Sequence, residues 1–266
     1  MRRGEIFWGS LLVLLGVLFF LHAAGYLAGD VFSWFWPFVI IAIGAWILMG
    51  NFMARIDFNN AEKFSIPLQS AKEARLEINH GAGQINLSAG ADAGDFLTGV
   101  SGVGMNQSSH LDGDKLEVEI DAGPSFVPFI GPEGGVWQFR LDSDLPTSLD
   151  IDAGASRLNL DLRDLQVRYL SFDGGASHIT LTLPAGVENM VADLEAGAAS
   201  IDLNLPQGVG LRLRLKSVGT LKIDENRFVP REGRVYQSAD YDTAKYRAEV
   251  NIEGGATSIR VNEESR

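Results

Sequence analysis

Chemistry needs reactive side chains brought to one place, and this chain offers few. It has no cysteine, which removes thiolate nucleophiles, thiolate metal ligands and disulfides and leaves the compartment open. Its histidines, His22, His80, His110 and His178, are scattered, with no His-x-x-x-His pair and no nucleophile elbow. His178 has no second ligand at metal-binding spacing. "GVSGVG" (99–104) is rich in glycine, but no helical pattern follows to receive a phosphate, so it reads as turns. One polar set does recur: Asn79, Asp152, Asp173, Glu195 and Glu253 each stand two residues before a glycine. Stacked, they could gather a divalent cation, or mimic the paired carboxylates of a polysaccharide-cleaving β-helix. An enzyme needs one site rather than a ladder, and acidic residues at turns bond local backbone or face water. The reading is a protein with no catalytic residue, no cofactor and no metal site.

Two stretches suit a partner instead. Arg212, Arg214 and Lys216 alternate with Leu211, Leu213 and Leu215, which puts the three cations on the outer face of one strand. They suit docking onto an acidic partner or an anionic leaflet, or pairing with acidic neighbours such as Asp202. "PSFVPFIGP" (124–132) sets Phe126 and Phe129 among three prolines, which keep it out of a central strand. It reads either as a cap on an open end of the domain or as an exposed apolar contact.

The elements that must position these residues announce themselves by repetition. Gly-Ala dipeptides recur at Gly81, Gly154, Gly175, Gly197 and Gly255, each between two alternating apolar-polar runs. Alternation of period two marks a strand with one buried face. The step from Ile151 to Leu158 is odd, so the corner must reset which side faces in. A glycine there is expected to adopt a left-handed backbone. A degenerate copy lies around Gly219, "HLDGDKLEVEID" reads as a hairpin, and "ADYDTAKYR" is the one hint of helix. Residues 65–262 are thus expected to form one all-β domain, a single-sheet stack resembling a short β-solenoid.

The first fifty residues differ in kind. The chain carries 22 Lys and Arg against 34 Asp and Glu, a net charge of -12 that argues against nucleic acid as a partner. Of these only Arg2, Arg3, Arg55, Glu5 and Asp30 lie in residues 1–56. Two apolar segments, about 6–27 and 31–50, are each long enough for a bilayer core, and "LHAAGY" is a poor cleavage site. Residues 1–52 are therefore read as a two-helix transmembrane hairpin, followed by a linker over 53–64. Arg2 and Arg3 precede it and Arg55, Lys63, Lys72 and Arg75 follow, while its loop has neither Lys nor Arg. The positive-inside rule then puts both ends, and the large domain, in the cytoplasm.

The head "RRGEIFWGSLLVLLGVLFFL…WPFVIIAIG" resembles the two-span region of LiaI and LiaF membrane proteins. The tail "GRVYQSADYDTAKYRAEVNIEGGATSIRVN" resembles the C-terminal end of LiaF-like toastrack domains. The resemblance implies a component of a bacterial envelope-stress response at the cytoplasmic membrane. It implies as partners the bilayer and a sensor histidine kinase, which such proteins hold inactive, with no catalytic residues to carry over. The other reading of the repeats is a β scaffold that self-assembles at the membrane as a homo-oligomer.

Overall fold

A computed structural model describes residues 62–101, 105–122 and 136–263, with isolated positions between Val13 and Val39. The chain divides into two compact units, Met1–Arg55 and Ile56–Arg266. In the first unit Val13, Val17, Phe19, Phe20 and Trp36 are helical and exposed. Most of the expected hairpin lies outside the described residues, among which no helix is long and apolar enough to cross a membrane.

The second unit is all β. Its strands are β1 (Glu62–Pro67), β2 (Glu73–Ala89), β3 (Asp95–Ser101), β4 (Met105–Asp112), β5 (Lys115–Ala122), β6 (Val136–Leu141) and β7 (Thr147–Asp161). There follow β8 (Val167–Thr182), β9 (Met190–Leu205), β10 (Val209–Lys216), β11 (Thr220–Lys222), β12 (Phe228–Arg231), β13 (Val235–Ser238) and β14 (Tyr246–Glu263). No helix forms at "ADYDTAKYR": residues 239–243 are turns, Ala244 N–H bonds back to Asp240 C=O, and β14 begins at Tyr246.

β2, β7, β8, β9 and β14 lie side by side, parallel and in register. Each is far longer than an ordinary strand of five or six residues. β7 would run about 50 Å if straight, yet residues 162–166 alone carry the chain from its end to the start of β8. Such a connection spans only about 20 Å, so each long strand must fold back on itself. It does so at the Gly-Ala corner.

Burial follows the bend. In β7, Leu149, Ile151 and Ala153 are buried before the corner, and Ser156, Leu158 and Leu160 after it. Gly154 and Ala155 both face out, and these two consecutive outward residues reset the alternation. The buried residues of both arms form one apolar core, with Phe96, Phe139, Phe172 and Phe228 fully enclosed.

A broken rung flanks the five continuous ones on each side. β5 pairs with the first half of β2 and β6 with the second. β10 and β11 do the same for β14, so the degenerate copy around Gly219 is this second broken rung. Beyond these the sheet turns antiparallel, through β3 and β1 on one side and β13 and β12 on the other, with the β4–β5 hairpin on the first arm. The rhythm fails between Gly81 and Gly154 because those residues build this margin. At the other margin β14 slots between β9 and β10, so the last strand in sequence is an interior rung.

Candidate interaction surface

The register brings the five corner glycines into one line: Gly81 beside Gly154, then Gly175, Gly197 and Gly255. None is left-handed; the positive-φ glycines are elsewhere, at Gly83, Gly90 and Gly113 among others. The expectation of a left-handed corner is therefore corrected. What forbids a side chain is the neighbouring rung: a Cβ on Gly154 would lie 2.5 Å from the carbonyl oxygen of Gly81. On Gly175 it would meet Gly154 O at 2.9 Å, on Gly255 Gly197 O at 3.0 Å, and on Gly197 Gly175 O at 3.2 Å. Gly81 has no such obstacle. Sequence reasoning found the position but not the cause, because the cause lies in the next strand.

Inside the bend the space is as tight. A Cβ on Gly174 would strike the Phe172 ring and Ala153 O, and one on Gly254 would strike Thr257 Oγ1 and Ala196 O. The next row holds Ser156, Ser177, Ala199 and Thr257, all buried. At the β2 end of the bend stands His80, 3 % exposed. Its Nδ1 lies 3.2 Å from Ser156 Oγ, its ring meets Trp137 edge-on at 4.5 Å, and Nε2 has no hydrogen-bond partner. Burial lowers its pKa to about 4, so the imidazole is neutral near pH 7.

Outside, the two arms differ chemically. Asp121, Asn79, Asp152, Asp173, Glu195 and Glu253 form one row across the first arm, next to Glu119, Glu77, Asp150 and Asp193. The carboxylates of neighbouring rungs are about 5 Å apart by strand spacing. Local bonds answer some of them: Asn79 Nδ2 donates to Asp121 Oδ1 at 2.8 Å, Asn251 Nδ2 to Asp193 Oδ1 at 2.7 Å, and Tyr169 O–H to Asp193 Oδ2 at 3.1 Å. Burial, then that Asp193 bond, raises the Tyr169 pKa. Among the described residues no group of His, Asp and Glu could hold a metal ion. The outer face of the second arm is instead rich in amides and hydroxyls, with Asn159 donating to Asn86 at 2.8 Å and Asn262 to Asn204 at 3.1 Å.

Arg212, Arg214 and Lys216 do share the outer face of β10, at the end of the acidic arm. Their partners are not Asp202, which pairs with Arg260 at 3.1 Å on the second arm. Because β10 lies beside β14, Arg214 pairs with Glu249 at 2.9 Å and Lys216 with Glu253 at 2.7 Å. Arg212 stacks over the Tyr241 ring at 4.2 Å and reaches Glu249 at 3.5 Å. The bond to Glu253 holds Lys216 above its ordinary pKa. Sequence reasoning missed these partners because nothing local announces the insertion of β14. A shallow groove of about 610 Å³ runs beside them, between acidic Asp173, Asp193 and Glu195 and cationic Arg214 and Lys216, with Gly233 at its wall. Phe126 and Phe129 lie outside the described residues, in the segment 123–135 that joins the halves of the first broken rung.

Residues 56–204 match the family described as the N-terminal domain of toast_rack, DUF2154. The chain belongs to the toast_rack family. Residues 6–48 match the LiaI-LiaF-like transmembrane region, so the chain has the two-part LiaF-like architecture and is membrane-associated. This family comprises non-catalytic scaffolds with a general role in envelope-stress regulation. No curated protein matches the chain in sequence. Its fold is similar to that of a proposed cell adhesion protein from Clostridium sporogenes ATCC 15579, with TM-score 0.68, 20 % identity, and coverage of 77 % of this chain and 99 % of that one. A proposed adhesin from Bacteroides fragilis NCTC 9343 aligns over 76 % of this chain and 96 % of its own, at 9 % identity and TM-score 0.24.

Proposed function

We propose that this toast_rack protein restrains a sensor histidine kinase, and through it a response regulator, by direct contact at the cytoplasmic membrane. The observation that carries the reading is the union in one chain of a LiaI-LiaF-like membrane region and a toast_rack domain. In this reading residues 6–27 and 31–50 span the membrane twice, and the β domain hangs on the cytoplasmic side. There it reaches the catalytic half of a kinase.

The β10 margin is the proposed contact. Arg214 and Lys216 have half or more of their side chains exposed. Lys216 and Glu253 are both exposed, and an exposed ion pair contributes only about 0–1 kcal/mol, so Glu253 can be exchanged for a partner's carboxylate at little cost. Phe126 and Phe129, outside the described residues, are proposed as further apolar contacts. The test is co-purification of the kinase with the full-length chain from detergent-solubilised membranes. Arg214→Glu with Lys216→Glu should lose the kinase while the chain remains folded; undiminished capture would move the contact elsewhere.

A self-assembling scaffold is the second reading. Among the described residues the margins of the sheet are broken rungs and antiparallel strands, so in this reading copies would join through an edge strand rather than through the continuous rungs.

A further inference from the structure

Four strands bound the sheet among the described residues, and three of them carry devices that stop a sheet from pairing with strangers. β1 ends in Pro67 and shifts register there. β12 holds Pro230 within four residues, and β11 is only three residues long. β4 has no such device. Its eight residues pair with β5 without a register shift, contain neither Pro nor Lys, and are exposed from Asn106 to His110 on both faces.

The hairpin fixes which backbone groups are free. Gly113 and Asp114 form a two-residue turn closing on the Asp112–Lys115 pair, so that pair exchanges both its hydrogen bonds and the alternation sets the rest. The N–H and C=O groups of Gln107, Ser109 and Leu111 consequently point away from β5.

We propose that β4 pairs antiparallel with β4 of a second copy of this chain, about a two-fold axis at Ser108. In that register Gln107 of either copy opposes Ser109 of the other, and Asn106 opposes His110. Met105 opposes Leu111, so half-buried apolar side chains meet at both ends of the pairing. The paired register sets no carboxylate against another. Asp112 is the strand's one formal charge and stays outside the paired register, whereas β5 carries Glu117, Glu119 and Asp121. Most other approaches between copies of net charge -12 would set carboxylate against carboxylate, which costs free energy. A two-fold contact of this kind closes on itself, giving a dimer rather than a fibre.

The absence of cysteine makes the test direct. Residues on the axis form a pair with no hydrogen bonds between them, about 4.5 Å between Cα atoms, within the roughly 4.4–6.8 Å of a disulfide. The full-length Ser108→Cys chain in isolated membranes should therefore oxidise to a dimer at least tenfold faster than Ser258→Cys, on the exposed outer face of the second arm. Asn106→Cys alone should not cross-link, because its two copies stand about 13 Å apart along the strand; mixed with His110→Cys it should. Ser109→Pro removes an N–H that β5 does not use, and should cut the Ser108→Cys dimer at least tenfold. Three results would overturn the proposal: no preference for Ser108→Cys over Ser258→Cys, equal cross-linking by Asn106→Cys alone, or no effect of Ser109→Pro.

Discussion

A single oxygen atom decides four of the five glycine corners. The carbonyl of one corner glycine occupies the place where the next rung's Cβ would go, so the requirement for glycine passes along the stack and ends at Gly81. This makes the five glycines unequal. Gly154→Ala must displace backbone and should cost about 1–3 kcal/mol, as overpacking does. Gly81→Ala meets nothing within 4 Å and should be neutral, or stabilising by up to about 1 kcal/mol through reduced chain entropy. Thermal unfolding of the full-length chain in detergent, followed by circular dichroism, checks both; equal losses would mean that the close approach is not the cause. Gly175→Val should also destabilise, for the same steric reason.

His80 gives a second expectation at this scale. Its folded pKa of about 4 lies below the ordinary histidine value of 6.5, so the unfolded chain binds more protons between those values. Its contribution to stability is complete above about pH 6.5 and is lost as the pH falls toward 4, by on the order of 3 kcal/mol. Melting at pH 6.5 and pH 5 should show a drop that His80→Leu largely abolishes.

At the level of elements, the sequence tells most where structure repeats. The alternating runs, the parity reset and the β4–β5 hairpin were all legible, because period and turn residues are local signals. Less legible was everything that depends on a distant strand. The insertion of β14 beside β9 sends Arg214 and Lys216 to Glu249 and Glu253, and no spacing in the chain reveals it. The tyrosine-rich stretch before β14 imitates a helix in composition, yet the tight turn at Asp240 prevails. In the second broken rung the corner is replaced by Ser217, Val218 and Gly219, with Ser217 at φ 57° and Gly219 N–H donating to Thr257 C=O at 3.0 Å. A serine in that conformation costs about 1 kcal/mol. Ser217→Gly should return a similar amount, raising the melting temperature by a few degrees; a lower melting temperature would show that the serine side chain supports the break.

The whole molecule joins a membrane segment to an acidic, two-armed β domain with no chemistry of its own to perform. Function must then lie in where the domain is held and what it touches. Its side of the membrane can be read with one introduced thiol. In intact cells Ser265→Cys should be protected from a membrane-impermeant maleimide until lysis; labelling before lysis would put the domain outside and sever it from a cytoplasmic kinase half. The most direct test of the restraint itself is the phosphorylation state of the host's response regulators in unstressed cells with and without this chain. Deletion should raise the phosphorylated fraction of one regulator, and restoring the full-length chain should lower it again. No change in any regulator on deletion would contradict the account.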